Sequence, residues 1–192
     1  NDFSAQRNFA LEQTDADWVL YLDADERLNE NVIAEVKRIV ASGVMDAQYA
    51  FTRKSGAFGK IFSYGVLYPD QVRRLFPRKA VVWVNKVHEH PECKLPEKHL
   101  SGYVTHYTYK DWYEWEGKLC LYTTIWAEDA YKKGKRTTMA GIFQHSVGAF
   151  FKMFVLRRGF LDGGLGIYLC FAHGFYTMLK YLKLYDLQNR RK

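Results

Sequence analysis

The sequence predicts an α/β fold that is followed by a helical extension. A short apolar run, Trp18–Leu22, lies between two stretches with helical periodicity, and this order of helix, strand and helix is typical of α/β proteins. Residues 47–110 are rich in β-branched and aromatic residues separated by Gly and Pro, which indicates strands and loops. Residues 137–187 return to a helical pattern. A chain of 192 residues that is 48% hydrophobic can bury one sizeable core.

The first three elements are predicted from local signals. Ser4 can cap a helix over residues 5–14. The run "WVLYL" at Trp18–Leu22 is continuous and apolar, as in a buried strand of a parallel sheet. A helix is expected next, ending at Gly43, because apolar residues recur there at helical spacing. These are Val32, Ile33, Val36, Ile39 and Val40.

The later helices are predicted from a cap and from their breaks. Asp111 opens a helix that runs to Gly134, and Glu114 completes a capping box with it. The helical region that follows is interrupted at residues 157–164, "RRGFLDGG". We therefore expect one domain over residues 1–110 and a helical extension over residues 111–192.

The basic residues are concentrated in the helical extension. Residues 1–131 carry 16 Lys and Arg against 19 Asp and Glu, whereas residues 132–192 carry 12 against 2. Such a block suggests an anionic partner. Residues 163–179 carry no charge, and apolar faces beside Lys and Arg suit a helix lying on an anionic membrane surface. An ordinary buried helix pair is the alternative. Nucleic acid is not the expected partner, because the long apolar run would contribute nothing to the binding of phosphates.

A group of carboxylates follows the first strand. Asp23, Asp25 and Glu26 stand together, and the basic residue nearest to them in sequence is Arg27. Ligands of open α/β sheets bind beyond the carboxyl ends of the strands, and two oxygen donors there suit Mg²⁺ or Mn²⁺. Uncompensated like charges are costly unless a cation binds them. The alternative is a solvated helix N-terminus, which would suffice for Glu26 and Glu30.

The segment "DWVLYLDADE", residues 17–26, resembles the D-x-D segment of GT-A glycosyltransferases. It is most similar to members of glycosyltransferase family 2 that extend bacterial lipopolysaccharide cores. Three further segments resemble that family in the same order, and they are residues 3–11, 64–90 and 157–184. The resemblance implies a GT-A-like (Rossmann-like) mixed sheet with a helical C-terminal extension that associates with a membrane.

The resemblance also implies roles on the donor side of a site. Asp25 would hold the divalent ion, Mg²⁺ or Mn²⁺, and His106 would complete the metal site. Asp23 would contact the ribose of a nucleotide-sugar donor or support the metal. Arg74 would contact phosphate or acceptor.

On the acceptor side, the resemblance makes Glu89 the catalytic base and places Gly65 in an acceptor loop. Sugar transfer needs a proton removed from a weakly nucleophilic hydroxyl, which a positioned carboxylate can accept. It also needs stabilisation of the leaving diphosphate, which a metal supplies. One carboxylate pair and one separate carboxylate therefore fit single-displacement chemistry, in agreement with the inverting outcome of the family.

These expectations define an inverting, metal-dependent glycosyltransferase. It would move a sugar from a nucleotide-sugar donor to a hydroxyl of a lipopolysaccharide core or lipid-linked glycan, as a peripheral enzyme on the cytoplasmic face of the inner membrane. The chain begins at Asn1 rather than Met, directly before the helix that leads into the D-x-D strand. We therefore expect a sheet that is incomplete at its N-terminal side and a chain that is inactive alone.

Three other interpretations of the sequence remain open at this point. The first is a non-catalytic membrane-binding module, in which the acidic turn is only a helix cap. The second is another divalent-metal-dependent enzyme such as a phosphoesterase, which would need more His and Asp ligands. The third is a zinc site, although the spacing of the relevant residues fits no common zinc pattern. Those residues are His88, His90, Cys93, His99 and His106.

Overall fold

The computed structural model describes residues 2–85 and 89–189. The helices are α1 (Phe3–Glu12), α2 (Glu30–Ser42), α3 (Trp112–Lys132), α4 (Met139–Phe151) and α5 (Gly163–Asn189). The strands are β1 (Trp18–Leu20), β2 (Glu26–Leu28), β3 (Gln48–Ala57), β4 (Lys60–Ile61), β5 (Asp70–Pro77), β6 (Val81–Val84), β7 (His90–Cys93) and β8 (Glu97–Tyr109). The predicted α/β class is confirmed, and the more specific GT-A assignment stays a prediction.

The chain divides into two units. The first contains the residues up to Lys54 together with Asp70–His106. The second contains Ser55–Pro69 together with the residues from Tyr107 onward. The sequence placed one boundary after residue 110, whereas the second unit begins four residues earlier and also takes Ser55–Pro69.

The main sheet has the strand order β1-β5-β3-β8-β2, with β4 added to β3. β1 pairs antiparallel with β5, and Leu20 lies opposite Leu75. At the other end, β2 pairs antiparallel with β8, and Glu26 lies opposite His106. The strand expected to be buried in a parallel sheet is therefore a half-buried antiparallel strand at the end of this order. Strands β6 and β7 form a separate two-stranded ribbon.

Helix α2 packs on the sheet of the first unit through Val32, Val36 and Ile39, whereas Ile33 and Val40, from the same predicted set, are exposed. Val32 is fully buried against the sheet residues Phe51, Leu75 and Val104. The carboxamide of Asn29 caps the helix by accepting a hydrogen bond of 2.9 Å from the backbone N–H of Val32. Gly43 ends α2 with a φ of 66°, which confirms the predicted stop.

The ends of two other helices test the predicted caps. For α1 the prediction of Ser4 was wrong, because Asp2 accepts a hydrogen bond from the backbone N–H of Ala5 and the Ser4 hydroxyl donates to Asp2. For α3 the N-cap is confirmed, because Asp111 accepts from the backbone N–H of Glu114 at 2.9 Å. The predicted capping box is not formed, because the Glu114 carboxylate accepts from the backbone N–H of Lys110 at 2.8 Å rather than from that of Asp111. The short Asp2 side chain lies one residue before the helix, where an N-cap must be.

The predicted break before α5 is confirmed. Helix α4 continues into a π-helical segment, Lys152–Leu156, and a 3₁₀ turn, Gly159–Asp162, precedes α5. The buried carboxylate of Asp162 accepts hydrogen bonds from the backbone N–H groups of Ser63 and Tyr64, at 3.1 and 2.7 Å. These bonds tie the loop that holds Gly65 to the start of α5.

Gly65 is required at its position for two reasons. Its φ of 63° lies in the left-handed region. A Cβ atom there would also lie 2.9 Å from the Cα of Gly159, which is too close. The backbone N–H of Gly65 donates to the carbonyl of Arg157 at 2.8 Å, so the loop can approach this segment only as glycine.

Candidate functional site

The carboxylates after β1 form a turn that joins β1 to β2. The backbone N–H of Glu26 donates to the carbonyl of Asp23 at 2.9 Å. In return, the backbone N–H of Asp23 donates to Oε2 of Glu26 at 3.2 Å. Glu26 is fully buried. The expectation that Glu26 is a solvated residue of a helix N-terminus is therefore wrong.

Buried Glu26 is neutralised by arginines from distant strands. Arg74 on β5 donates from one terminal nitrogen to Oε1 of Glu26 at 2.5 Å and to Oδ2 of Asp23 at 2.6 Å. Arg53 on β3 lies 3.5 Å from Oε1 of Glu26. A buried carboxylate needs such partners, because an unpaired charge is costly to bury.

Arg27 was the only nearby cation that the sequence indicated for these carboxylates, whereas Asp23 and Glu26 are neutralised by arginines that are distant in sequence. Arg27, the basic neighbour in sequence, donates instead to the backbone carbonyls of Ala24 and Glu26. The guanidinium of Arg74 is committed to the two carboxylates, and its side chain is only 7% exposed. A contact between Arg74 and a ligand stays a prediction.

Arg7 on α1 connects two of the predicted site residues. It donates to Oδ1 of Asp23 at 2.8 Å and lies 4.0 Å from Oε1 of Glu89. Its guanidinium carbon is 4.4 Å from the ring centroid of Trp83, which is a cation–π distance. Asn8, the next residue, exchanges two hydrogen bonds with the backbone of Trp83, at 2.8 and 2.9 Å. These contacts fix α1 on β6 and place Arg7 between Asp23 and Glu89.

The two arginines set the charge state of Asp23. Burial alone would raise the pKa of this carboxyl group. Hydrogen bonds and charge from Arg7 and Arg74 outweigh burial and hold the pKa of Asp23 below its ordinary value. Asp23 is thus an ionised, rigidly held acceptor. Each of its oxygens accepts one arginine N–H and retains a further lone pair.

Asp25 lies in a different environment from Asp23. Its Oδ2 is 3.1 Å from Nε2 of His106 on β8, and its side chain is 54% exposed. The structure therefore brings together two of the predicted metal ligands. Asp23 is paired with Arg7 and Arg74 instead of with His106.

Asp25 and His106 would offer a divalent cation one carboxylate oxygen and one imidazole nitrogen. In residues 2–85 and 89–189, no group of three or more His, Cys, Asp or Glu is arranged to hold a metal. Mg²⁺ is commonly bound by one or two carboxylates and keeps waters and substrate phosphates as its other ligands. Asp25 supplies one such carboxylate, whereas the imidazole of His106 is a nitrogen ligand that Mg²⁺ does not favour. In the described ranges no cluster of ligands supports a zinc site, and His88 lies outside those ranges.

Sequence reasoning missed Arg7, Arg53 and the structural role of Glu26. Arg7 lies in "FSAQRNFAL", a segment that was noted only as a whole. Its side-chain partner Asp23 is 16 residues away, and Arg74 is 51 residues from Asp23. No local pattern predicts such pairs, although a buried turn with several carboxylates implies that arginines must exist elsewhere in the chain.

The chain is similar along nearly its whole length to proteins named as glycosyltransferases. No family model matches it. An uncharacterized glycosyltransferase of Rickettsia prowazekii (strain Madrid E) is 25% identical, over 96% of this chain and 68% of the relative. Uncharacterized glycosyltransferases of Rickettsia typhi and Rickettsia conorii are each 24% identical, over 96% and 99% of this chain and 68% and 72% of the relatives.

Proposed function

We propose that this chain acts in glycosyl transfer, moving a sugar from a nucleotide-sugar donor to a hydroxyl group of an acceptor. The observation that carries the proposal is the pair of exposed Asp25 and partly buried His106, which lies beside a turn whose other carboxylates are already paired with arginines. The similarity to proteins named as glycosyltransferases supports transfer of a sugar. The likeness to GT-A enzymes of family 2 is part of this proposal.

On the donor side, Asp25 and His106 would hold Mg²⁺ or Mn²⁺. When bound, this ion would neutralise charge on the diphosphate leaving group. Asp23 retains a lone pair on each oxygen and is fixed by two arginines, so it would accept hydrogen bonds from the ribose hydroxyls. Because its carboxylate is already oriented, little entropy is lost when the nucleotide binds.

On the acceptor side, Glu89 would act as the base. Its carboxylate is partly exposed and lies 4.0 Å from Arg7, the residue that also holds Asp23. The acceptor oxygen would attack the anomeric carbon, its proton would pass to Glu89, and the electron pair of the breaking bond would leave on the diphosphate. A single displacement of this kind inverts the configuration of the anomeric carbon.

The test of the donor site compares two aspartates. Asp25→Asn should abolish Mn²⁺-dependent binding of UDP and GDP in isothermal titration. Asp46→Asn is the matched control, because Asp46 is 57% exposed and is paired at 3.1 Å with one cation, Lys98. The proposal would be overturned if both variants bound these nucleotides as the wild type does.

An anionic membrane surface is proposed as a partner of the second unit. The stretch Met139–Leu156 is long and apolar enough to cross a membrane, and only 6% of it is buried. Its Phe143 and Leu156 are among the most exposed apolar residues of the described chain. Such patches mark interaction sites, and basic residues flank this one on both sides. The uncharged stretch 163–179 in α5 contains more buried positions than Met139–Leu156 does.

This location agrees with an acceptor that carries a lipid, such as a lipopolysaccharide core or a lipid-linked glycan, at the cytoplasmic face of the inner membrane. Replacing Phe143 and Leu156 by Ser should reduce sedimentation with vesicles of phosphatidylglycerol. Tyr113→Ser is the control, because Tyr113 is 85% exposed on α3, outside this stretch. Equal sedimentation of all variants would contradict the membrane proposal. Vesicle binding without any nucleotide binding would favour a non-catalytic membrane module.

A further inference from the structure

We propose that a cavity in the second unit binds one sugar ring of the acceptor. The inference rests on the proposed function and names a binding place for its acceptor. The cavity has a volume of about 220 Å³ and lies between α3, α5, the end of β8 and the loop after Gly65. Its lining is Val66, Leu67, Tyr109, Trp115, Lys118, Leu119, Tyr122, Leu169, Ala172, His173 and Tyr176.

The aromatic lining suits a pyranose ring. Four aromatic side chains, Tyr109, Trp115, Tyr122 and Tyr176, come from three different elements to this one cavity. A pyranose has apolar C–H faces that pack on aromatic rings, and hydroxyls at its edge that need donors and acceptors. Tyrosine and tryptophan offer both an apolar ring and a polar atom.

The polar groups of the cavity are uncharged or already compensated. Burial, with the charges of Lys180 and Lys152, lowers the pKa of His173, so its imidazole is neutral near pH 7 and offers one donor and one acceptor. Burial raises the pKa of Tyr109 and Tyr176, which keeps both hydroxyls protonated.

Lys118 brings no free positive charge to the cavity. Its ammonium lies 2.7 Å from Oε1 of Glu114 and donates to the carbonyl of Thr108 at 3.0 Å. The groups that face the cavity are therefore suited to a neutral ligand with hydroxyls rather than to a phosphate.

The size and polarity of the cavity limit what can occupy it. Pockets for drug-sized ligands measure roughly 300–1,000 Å³, so a volume of about 220 Å³ is suited to one ring and not to a nucleotide or a whole glycolipid. An acyl chain would displace water from His173 and the tyrosine hydroxyls without replacing its hydrogen bonds, which is costly. One neutral sugar ring meets both limits.

The test measures binding of simple glycosides to the whole chain. Saturation-transfer NMR would use the methyl glycosides of glucose, galactose, mannose and N-acetylglucosamine, with octanol as the apolar probe. We expect transfer to the ring C–H protons of at least one glycoside. Tyr176→Leu should weaken its binding about tenfold, which corresponds to ~1.4 kcal/mol. Tyr176→Phe, which removes only the hydroxyl, should weaken it less, and Tyr113→Leu should leave it unchanged.

Three outcomes would overturn the inference: no glycoside binds, octanol binds in place of the glycosides, or Tyr176→Leu and Tyr113→Leu bind the glycoside equally. Mn²⁺-dependent binding of UDP and GDP is measured on the same samples. Glycoside binding without nucleotide binding would refute the proposed function and leave the cavity assignment intact. Nucleotide binding without glycoside binding would refute the cavity assignment alone.

Discussion

Replacing Arg74 by Met should destabilise the protein strongly, because it leaves a buried carboxylate short of its main partner. The Met side chain keeps the apolar part of Arg74 and removes both hydrogen bonds of the guanidinium. One of these bonds goes to Glu26, which is fully buried, and the other to Asp23. The network therefore loses its central cation, while both carboxylates remain.

The size of the effect follows from the exposure of each partner. Removing one member of a buried ion pair costs ~3–5 kcal/mol. The bond to Asp23 adds little, because that side chain is 35% exposed and pairs near solvent contribute ~0–1 kcal/mol. Arg53 still lies 3.5 Å from Glu26, which favours the lower end of the range. We expect a loss of about 3 kcal/mol, or a melting temperature lower by ~6–12 °C for a chain of this length.

Thermal and urea unfolding, followed by circular dichroism, measures this loss. Arg73→Met is the matched control, because Arg73 lies on the same strand, is 35% exposed and is 3.9 Å from Glu97. It should cost less than about 1 kcal/mol. Adding Glu26→Gln to Arg74→Met should restore part of the stability, since the unpaired buried charge is then gone. The reasoning is refuted if the two single Arg variants unfold alike, or if the double variant is less stable than Arg74→Met.

Three further changes test other parts of the structure. In a form of the protein that transfers sugar, Glu89→Gln should lower turnover of a nucleotide sugar by ~10²-fold and leave UDP binding unchanged, whereas loss of binding with turnover retained would make Glu89 a binding residue. The pKa of Asp23 is lowered by its arginines, so its contribution to stability is present above the ordinary value of 3.8 and is lost as the pH falls below it. Asp23→Asn should therefore be less stable at pH 7 and show a weaker loss in acid, and parallel pH profiles of urea midpoints would contradict this. Asp162→Ala leaves two loop amides without an acceptor and should cost about 3 kcal/mol, with faster hydrogen exchange at those amides, while unchanged exchange would show that other contacts hold the loop.

The helices could be predicted because their signals are local. The cap at Asp111 and the stop at Gly43 depend on residues within one helical turn, and both are confirmed. The cap of α1 was misassigned to Ser4, because Asp2 is an equally good cap two residues earlier. Local sequence signals predict whether a segment is a helix more reliably than they predict the residue at which the helix begins.

The site could be predicted only in part, because its partners are distant in sequence. The acidic turn was located from the apolar strand before it. The burial of Glu26 depends on the register of β2 against β8, which no local pattern indicates. The pairing of Asp25 with His106 spans 81 residues, and only the family resemblance pointed to it. Arg7 and Arg53 were not identified, because a helix or strand pattern says nothing about which charges will meet.

The bonds from the loop before Gly65 to Asp162 impose an order on events during synthesis. Tyr64, whose backbone N–H is the donor, is synthesised 98 residues before its acceptor Asp162. At roughly 5–20 residues per second, that interval lasts about 5–20 s. Phe62 and Leu67 are buried with Leu169 in the finished protein, and until α5 is made they lack that cover. Protease should therefore cut nascent chains stalled at residue 155 within residues 62–67 and spare the released protein. Equal protection of both would mean that the loop is held before α5 exists.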